Sequence, residues 1–269
     1  MAFIFSGLGA QWKTMGSSLF KQYPVFQKKI IKCDRIFSQY ADWSIIDELE
    51  KIPSESRLEQ SETGHPCTFA IQMGIVALLR HWGIVPSAVA GHSAGEVGAA
   101  HVAGILSLED ALHIIWQHCR IIKQTENDGQ MAFIALPVEK ISARIRNFSE
   151  EMTIAAINSP KSVVVSAPKG LENFIQYFEK KGVFCRMLKM DVAFHSSQVK
   201  PYLKEFENAL TGITVRSPKI PIYSTLHGML ASIDNFDGFR TASSSDIAMN
   251  SAIPPVGTMP LAATTISRH

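Results

Sequence analysis

The first 128 residues alternate short apolar runs with longer segments whose apolar residues recur at helical spacing. The runs at 2–6 and 88–91 predict buried strands. The segments that predict helices are 14–39, broken near Pro24, and 67–82, 95–103 and 108–124. Residues 52–66 are polar and contain proline and glycine, so they predict a connection. Strands and helices that alternate in this order predict an α/β fold.

Residues 129–191 show a second pattern, in which the strand and helix spacings follow the order β-α-β-β-α-β. This order is that of the ferredoxin-like unit. Because the unit lies between two α/β segments, we expect it to be a small subdomain inserted into a large one formed by 1–128 and 192–230. Residues 231–269 contain neither lysine nor glutamate and keep no regular period, so we expect a disordered tail.

Composition and charge exclude several classes of protein. The 269-residue chain is 46% hydrophobic, which is enough to bury a sizeable core, and its net charge of +2 argues against a nucleic-acid partner. No apolar run approaches the ~20 residues of a membrane-spanning helix, and the apolar start at 2–5 predicts a strand rather than a signal peptide. The four cysteines lie far apart, which predicts neither a metal site nor a disulfide framework and favours the reducing cytoplasm.

The strongest candidate for chemistry is Gly91-His92-Ser93-Ala94-Gly95, a G-x-S-x-G motif between an apolar strand and a predicted helix. Its glycines allow a strained turn that exposes Ser93 as a nucleophile. The helix that follows would present backbone N–H groups to an oxyanion beside the serine. The alternative interpretation is an ordinary Gly-Ser turn between a strand and a helix.

Two further residues are candidates that spacing alone does not decide. His195 ends the apolar run 192–194 and is a candidate for the base that a serine nucleophile needs, although a surface histidine at a strand end is the commoner interpretation. Arg120 lies among apolar neighbours in the predicted helix 108–124. Such an arginine usually reaches water or a carboxylate of the protein, and the functional alternative is a two-pronged clamp on a substrate carboxylate.

Four blocks of sequence, taken together, carry a family resemblance. They are residues 5–12 (Phe-Ser-Gly-Leu-Gly-Ala-Gln-Trp) with Met15-Gly16, residues 91–96 (Gly-His-Ser-Ala-Gly-Glu), Arg120 with Gln124 and 129–132, and residues 192–196 (Val-Ala-Phe-His-Ser). In this order and spacing, the chain resembles the acyltransferase domains of modular polyketide synthases and animal-type fatty acid synthases, relatives of malonyl-CoA:acyl-carrier-protein transacylases. The resemblance covers about residues 2–229 and implies an α/β-hydrolase-like large subdomain with an inserted ferredoxin-like (βαββαβ) small subdomain.

The resemblance also implies roles for individual residues. They are the catalytic pair Ser93 and His195, the substrate-binding residues Arg120, Phe194, Gln11 and His92, and the oxyanion-hole backbone N–H groups of Leu8 and Ala94. Ser93 would take the acyl group, and His195 would act as base and then as acid. Arg120 would hold the free carboxylate of a malonyl-type group, while Phe194 would crowd an α-methyl branch and so favour malonyl over methylmalonyl only partially.

The implied reaction uses acyl-CoA and the phosphopantetheine of an acyl carrier protein. It implies no tightly bound cofactor and no metal. Neighbouring synthase domains are the further partners that the resemblance implies. Leu8 and His65-Pro66 stand where the family usually has glutamine and Gln-Pro, and nothing after Leu230 resembles the family, so we expect a truncated domain. One alternative is a catalytically impaired fragment. Another is a serine hydrolase such as a thioesterase, which predicts an acid between the serine and the histidine and no inserted subdomain.

Overall fold

The computed structural model describes residues 1–125, 129–149, 151–188, 197–225 and 228–231. Their strands are β1 (Ala2–Phe5), β2 (Ala88–Gly91), β3 (Gln130–Ile134), β4 (Thr153–Ser159), β5 (Ser162–Ala167), β6 (Cys185–Met187), β7 (Ile222–Ser224) and β8 (Met229–Leu230). Their helices are α1 (Ser17–Gln22), α2 (Pro24–Phe37), α3 (Ile45–Glu50), α4 (Ser61–His81), α5 (Gly95–Ala103), α6 (Leu108–Gln124), α7 (Val138–Ile145), α8 (Leu171–Glu179) and α9 (Leu203–Ala209), with a 3₁₀ helix at Ser197–Tyr202.

The first sheet places the end of β2 between two parallel neighbours. Its strand order is β1-β2-β7-β8, with β1, β2 and β7 parallel and β8 antiparallel to β7. Gly91, the last residue of β2, pairs with Phe5 on one side and Ser224 on the other. The chain therefore leaves β2 at the carboxyl edge of the parallel strands, which is where ligands bind in open α/β sheets.

A helical layer around α4 forms the main core. The amphipathic helix α2 buries Phe26, Ile30, Cys33 and Phe37 at helical spacing, and it packs mainly against α4. The absence of a side chain at Gly74 on α4 allows this contact, because a Cβ there would lie 2.6 Å from a Phe26 ring carbon. Full burial of a ring of this size contributes about 2–3 kcal/mol to folding, so this contact fixes where α4 lies.

The second sheet is antiparallel, with the strand order β4-β5-β3-β6, and this order confirms the ferredoxin-like unit that the spacing predicts. Helices α7 and α8 cover one face of the sheet. The other face buries Met131 and Val164 against Ile122 of α6, and the side chain of Leu8 packs there too. The small sheet is thereby joined to the large subdomain beside the loop that follows β1. The predicted subdomain boundaries at 128/129, 191/192 and 230/231 stay predictions.

Two helices of the large subdomain differ from the sequence prediction. Helix α4 begins at Ser61, so the predicted connection at 52–66 ends earlier than expected. Pro66 is the sixth residue of that helix. Its ring removes one backbone hydrogen bond near the N-terminus of the helix, and the helix continues past it. Helix α3 has no counterpart in the prediction; the Ser44 side chain caps it by accepting a hydrogen bond from the Asp47 N–H at 3.1 Å.

Several sequence predictions lie outside the described residues. They include the block around His195 and the disordered tail predicted at 231–269, of which the structure describes only Ala231. Ala231 itself is buried and donates a hydrogen bond to the Ile222 carbonyl at 2.8 Å. Within the described ranges, no helix has both the length and the apolar content needed to span a membrane. The same ranges hold no group of three or more His, Cys, Asp and Glu side chains placed to bind a metal ion.

Candidate active site

The turn after β2 holds Ser93 in an unusual backbone conformation. Its φ is 53°, in the left-handed region that residues other than glycine seldom adopt. Hydrogen bonds on both sides fix the turn: the His92 N–H donates to the Phe5 carbonyl at 2.8 Å, and the Glu96 N–H donates to the Ser93 carbonyl at 2.9 Å. Strain of this kind is typical of a nucleophile on a strand-to-helix turn.

The glycines of the motif are required by close backbone contacts. A Cβ on Gly91 would overlap the backbone of Gly95 and Glu96, and a Cβ on Gly95 would overlap the Phe5 carbonyl group. Gly7, in the loop after β1, lies equally close, because a Cβ there would be 2.8 Å from the His92 carbonyl oxygen and 3.3 Å from the Ser93 Cβ. The loop after β1 therefore lies directly against the serine turn.

Glu96 joins the first turn of α5 to the end of β7. Its Oε1 accepts from the Thr225 backbone N–H and lies within hydrogen-bonding distance of the Thr225 hydroxyl, both at 2.7 Å. The same hydroxyl lies 2.9 Å from the Gly91 carbonyl oxygen. Glu96 is only 6% exposed, and a buried carboxylate near a helix N-terminus is favourably placed. This contact fixes the serine turn relative to the sheet.

The loop after β1 reaches from the serine turn to the start of α4, and we call residues 7–11 the glycine loop. The Gln11 side chain accepts a hydrogen bond from the Gly9 N–H at 2.7 Å. Its Nε2 would lie 3.3 Å from a Cβ added to Gly64 on α4. The backbone N–H groups of Leu8 and Ala94 donate no hydrogen bond to any other described residue. Two N–H groups that lie on neighbouring segments in this way suit an oxyanion.

Of the other candidate residues, Arg120 and His92 are described by the structure and Phe194 and His195 are not. Arg120 is on α6 with 48% of its side chain exposed; its Nη1 donates to Gln117 Oε1 at 3.0 Å, and its Nη2 lies 3.6 Å from Glu205 Oε1. His92 is exposed beside Ser93. Phe194 and His195 lie outside the described residues, so their predicted roles stay predictions.

A buried histidine pair was missed by the sequence reasoning. His65 on α4 and His118 on α6 are 3% and 7% exposed, and their Nδ1 atoms are 3.2 Å apart. The pKa of His65 lies well below its usual range, mainly because the ring is buried and secondly because His118 is close. The signal was the apolar stripe of α6, because His118 follows Ile114 and Ile115 at the spacing that faces the core.

Most of the chain is similar to known proteins. Residues 2–265 match the acyl transferase domain family. Erythronolide synthase EryA3 of Saccharopolyspora erythraea is 38% identical over 229 residues, which are 85% of this chain and 7% of that protein. The highly reducing polyketide synthase pks5 of Leptosphaeria maculans is 36% identical over 245 residues, covering 86% of this chain and 9% of that protein. The chain thus spans less than a tenth of either relative.

Solved structures share the fold. The acyltransferase domain from module 8 of the salinomycin polyketide synthase has a TM-score of 0.86 and 30% identity, covering 93% of this chain and 58% of that one. The malonyl CoA-acyl carrier protein transacylase of Coxiella burnetii has a TM-score of 0.80 and covers 93% of this chain and 79% of that one. At 21% identity the second likeness shows the fold alone. Together they confirm the predicted α/β fold class.

Proposed function

The chain belongs to the acyl transferase domain family, and from that premise we propose that it moves an acyl group from coenzyme A to the phosphopantetheine thiol of an acyl carrier protein. The acyl group would pass through an ester on Ser93. The observation that carries the proposal is the left-handed turn at Ser93, held against the glycine loop where two backbone N–H groups are available for an oxyanion.

The proposed reaction has two matching halves. Ser93 Oγ attacks the thioester carbonyl and loses its proton to His195, while the N–H groups of Leu8 and Ala94 stabilise the oxyanion. The C–S bond then breaks, and His195 returns the proton to the departing CoA thiol. In the second half the carrier thiol attacks the Ser93 ester by the same steps in reverse order. A thioester is exchanged for a thioester, so the reaction requires no tightly bound cofactor.

The proposed acyl group is of the malonyl type, with Arg120 binding its free carboxylate. In the structure the guanidinium is already engaged by Gln117 and Glu205, so the substrate carboxylate would replace Glu205. Both partners of this ion pair are about half exposed, which makes the exchange easy. Gln11, His92 and Phe194 complete the proposed binding site, Gln11 through its contacts within the glycine loop.

The proposed partners are an acyl carrier protein and neighbouring domains of a synthase. The supporting observation is the length of the relatives, since the matching segment is 7% of erythronolide synthase EryA3 and 15% of the pikromycin synthase component PikAIII of Streptomyces venezuelae. A domain within such a protein must exchange its product with other domains, and a carrier protein does this by a tethered thiol.

Transfer to a carrier thiol tests the proposal. The chain is incubated with malonyl-CoA and a phosphopantetheinylated carrier protein, and the carrier is followed by intact-protein mass spectrometry. We expect malonyl-carrier to accumulate faster than free malonate. Malonate release that is unaffected by the carrier would indicate a hydrolase instead, and the absence of both products would indicate an impaired fragment. Ser38→Ala, which replaces an exposed serine outside the site, is the matched control for Ser93→Ala.

A further inference from the structure

A cleft lies on the outer side of the small subdomain, between α7 and the residues at the end of α8. Its volume is about 470 Å³, and small-molecule sites in proteins have volumes of about 300–1,000 Å³. Leu136, Phe178 and Val183 give it an apolar wall. Helices α7 and α8 cover one face of the small sheet, while the other face packs against α6 and Leu8. The small sheet therefore separates the cleft from the glycine loop, and the proposed reaction does not use it.

Three basic side chains line the cleft without an acidic partner. Lys140 and Arg144 are four residues apart on α7, so they share one face of that helix, and Lys181 follows α8. None of the three forms an ion pair with a residue that the structure describes. The described residues that line the cleft include neither aspartate nor glutamate. Because positive charges that are placed together repel one another, this arrangement favours the binding of an anion.

Tyr177, which also lines the cleft, holds two of these charges in place. The guanidinium carbon of Arg144 lies 4.0 Å from the centre of the Tyr177 ring. The Nζ of Lys181 lies 4.2 Å from the same centre and donates a hydrogen bond to the Tyr177 hydroxyl at 2.6 Å. Contacts between a cation and an aromatic ring are attractive, so both side chains are positioned before a ligand arrives. Binding then costs less side-chain entropy than it would at freely rotating lysines and arginines.

The Nε of Arg144 lacks an acceptor. This atom is buried and has no hydrogen-bond partner among the described residues. Buried polar groups are nearly always hydrogen-bonded, and a guanidinium can only donate. Its planar fork binds a phosphate group through two parallel hydrogen bonds. One phosphate group in the cleft would therefore supply both the missing acceptor and the missing negative charge.

We propose that this cleft binds a small molecule that carries a phosphate group on an apolar body. A phosphate monoester has a charge of about −1.5 to −2 at pH 7, which three cations balance better than they would the single charge of a carboxylate. The apolar body would lie against Leu136, Phe178 and Val183. Because the small sheet separates the cleft from the glycine loop, this molecule is a second ligand and not the acyl donor.

Binding of phenyl phosphate to the whole chain, followed by isothermal titration calorimetry at low salt, tests the proposal. We expect one molecule to bind per chain with a Kd of about 1 mM or tighter. Inorganic phosphate should bind at least about threefold more weakly because it lacks the apolar body, and phenol should not bind because it lacks the charge. No binding of phenyl phosphate up to about 10 mM, or equal binding of either control compound, overturns the proposal.

Variants assign the binding to the cleft. Arg144→Gln should raise the Kd for phenyl phosphate about tenfold, and Lys181→Gln about fivefold because that lysine is exposed. The matched controls Arg146→Gln and Lys180→Gln remove the same charge from neighbouring exposed positions that do not line the cleft, and they should change the Kd less than about twofold. Circular dichroism checks that each variant folds, and Lys181→Gln decides the outcome if Arg144→Gln does not. Equal effects in cleft and control variants would indicate general attraction by surface charge and overturn the proposal.

Discussion

Glu96 and Thr225 form the contact that fixes the Ser93 turn to the sheet. One carboxylate oxygen serves both the backbone N–H and the hydroxyl of Thr225, at 2.7 Å each. The two residues come from sequence blocks that are 129 positions apart. Glu96 is the third residue after Ser93, so any movement at the end of β7 is passed directly to the turn that carries Ser93, the proposed nucleophile.

Glu96→Ala should therefore weaken both the fold and the reaction. It leaves the Thr225 backbone N–H without its charged acceptor, while the Thr225 hydroxyl keeps the Gly91 carbonyl oxygen, so we expect a loss of about 1.5–3 kcal/mol of unfolding free energy. Glu96→Gln keeps the oxygen at the same place and should cost clearly less. Denaturant unfolding measures both values, and equal losses in the two variants would contradict the role of the hydrogen bonds.

Gly95→Ala should destabilise the chain through backbone overlap. The added Cβ would meet the Phe5 carbonyl group, which belongs to β1 and cannot move freely, so we expect a loss of about 2–3 kcal/mol. Gly98→Ala on the same helix is the matched control. There the nearest atoms are the Phe5 ring at 3.1 Å and the Gln72 side chain at 3.3 Å, which can shift, and the gain in helix propensity offsets part of the strain. A midpoint of thermal unfolding that is equal for the two variants would be inconsistent with this reasoning.

Acid should destabilise the folded chain through His65. Burial lowers the pKa of this imidazole in the folded state, so the unfolded chain binds more protons once the pH falls below the ordinary histidine value. Stability is fully present above about pH 6.5 and declines below it by up to about 1.4 kcal/mol per pH unit from this group. His65→Gln should make unfolding less dependent on pH between 7 and 5.5, unlike the control His81→Gln at an exposed position. Parallel profiles for the wild type and His65→Gln would contradict the prediction.

Arg120→Ala should remove the proposed preference for acyl groups that carry a free carboxylate. Since the guanidinium is half exposed, we expect kcat/KM for malonyl-CoA to fall about fivefold, with acetyl-CoA unchanged. Arg120→Lys should restore the preference only in part, because an ammonium cannot form the two-pronged contact. An equal loss with both thioesters would assign Arg120 a structural role through Gln117 and Glu205.

Local signals in the sequence were sufficient for most of the elements. Helix α6 was predicted at its observed bounds because Ser107 caps it and its apolar spacing is regular. The spacing of β2 and α5, with the glycines between them, located Ser93 in the same way. These signals depend on neighbours along the chain, which is why they can be recognised without a structure.

Contacts between distant segments were not predictable in this way. The start of α4 was missed because Pro66 is normally a signal for a connection, and tertiary packing outweighs it here. The pairing of Arg120 with Glu205 and of His65 with His118 depends on how α4, α6 and α9 pack. Exposure and charge environment follow from that packing, so the sequence could suggest Arg120 as a clamp but could not show that Glu205 already binds it.

The formation of an acyl ester on Ser93 tests the central claim most directly. The chain is mixed with malonyl-CoA, quenched in acid and digested, and the peptide that contains residues 91–96 is analysed by tandem mass spectrometry. We expect a malonyl adduct on the Ser93 oxygen in the wild type and none in Ser93→Ala, whose thermal unfolding should be nearly unchanged because one hydroxyl contributes little stability. An adduct that persists in folded Ser93→Ala, or that maps to another residue in the wild type, would contradict the assignment of Ser93 as the nucleophile.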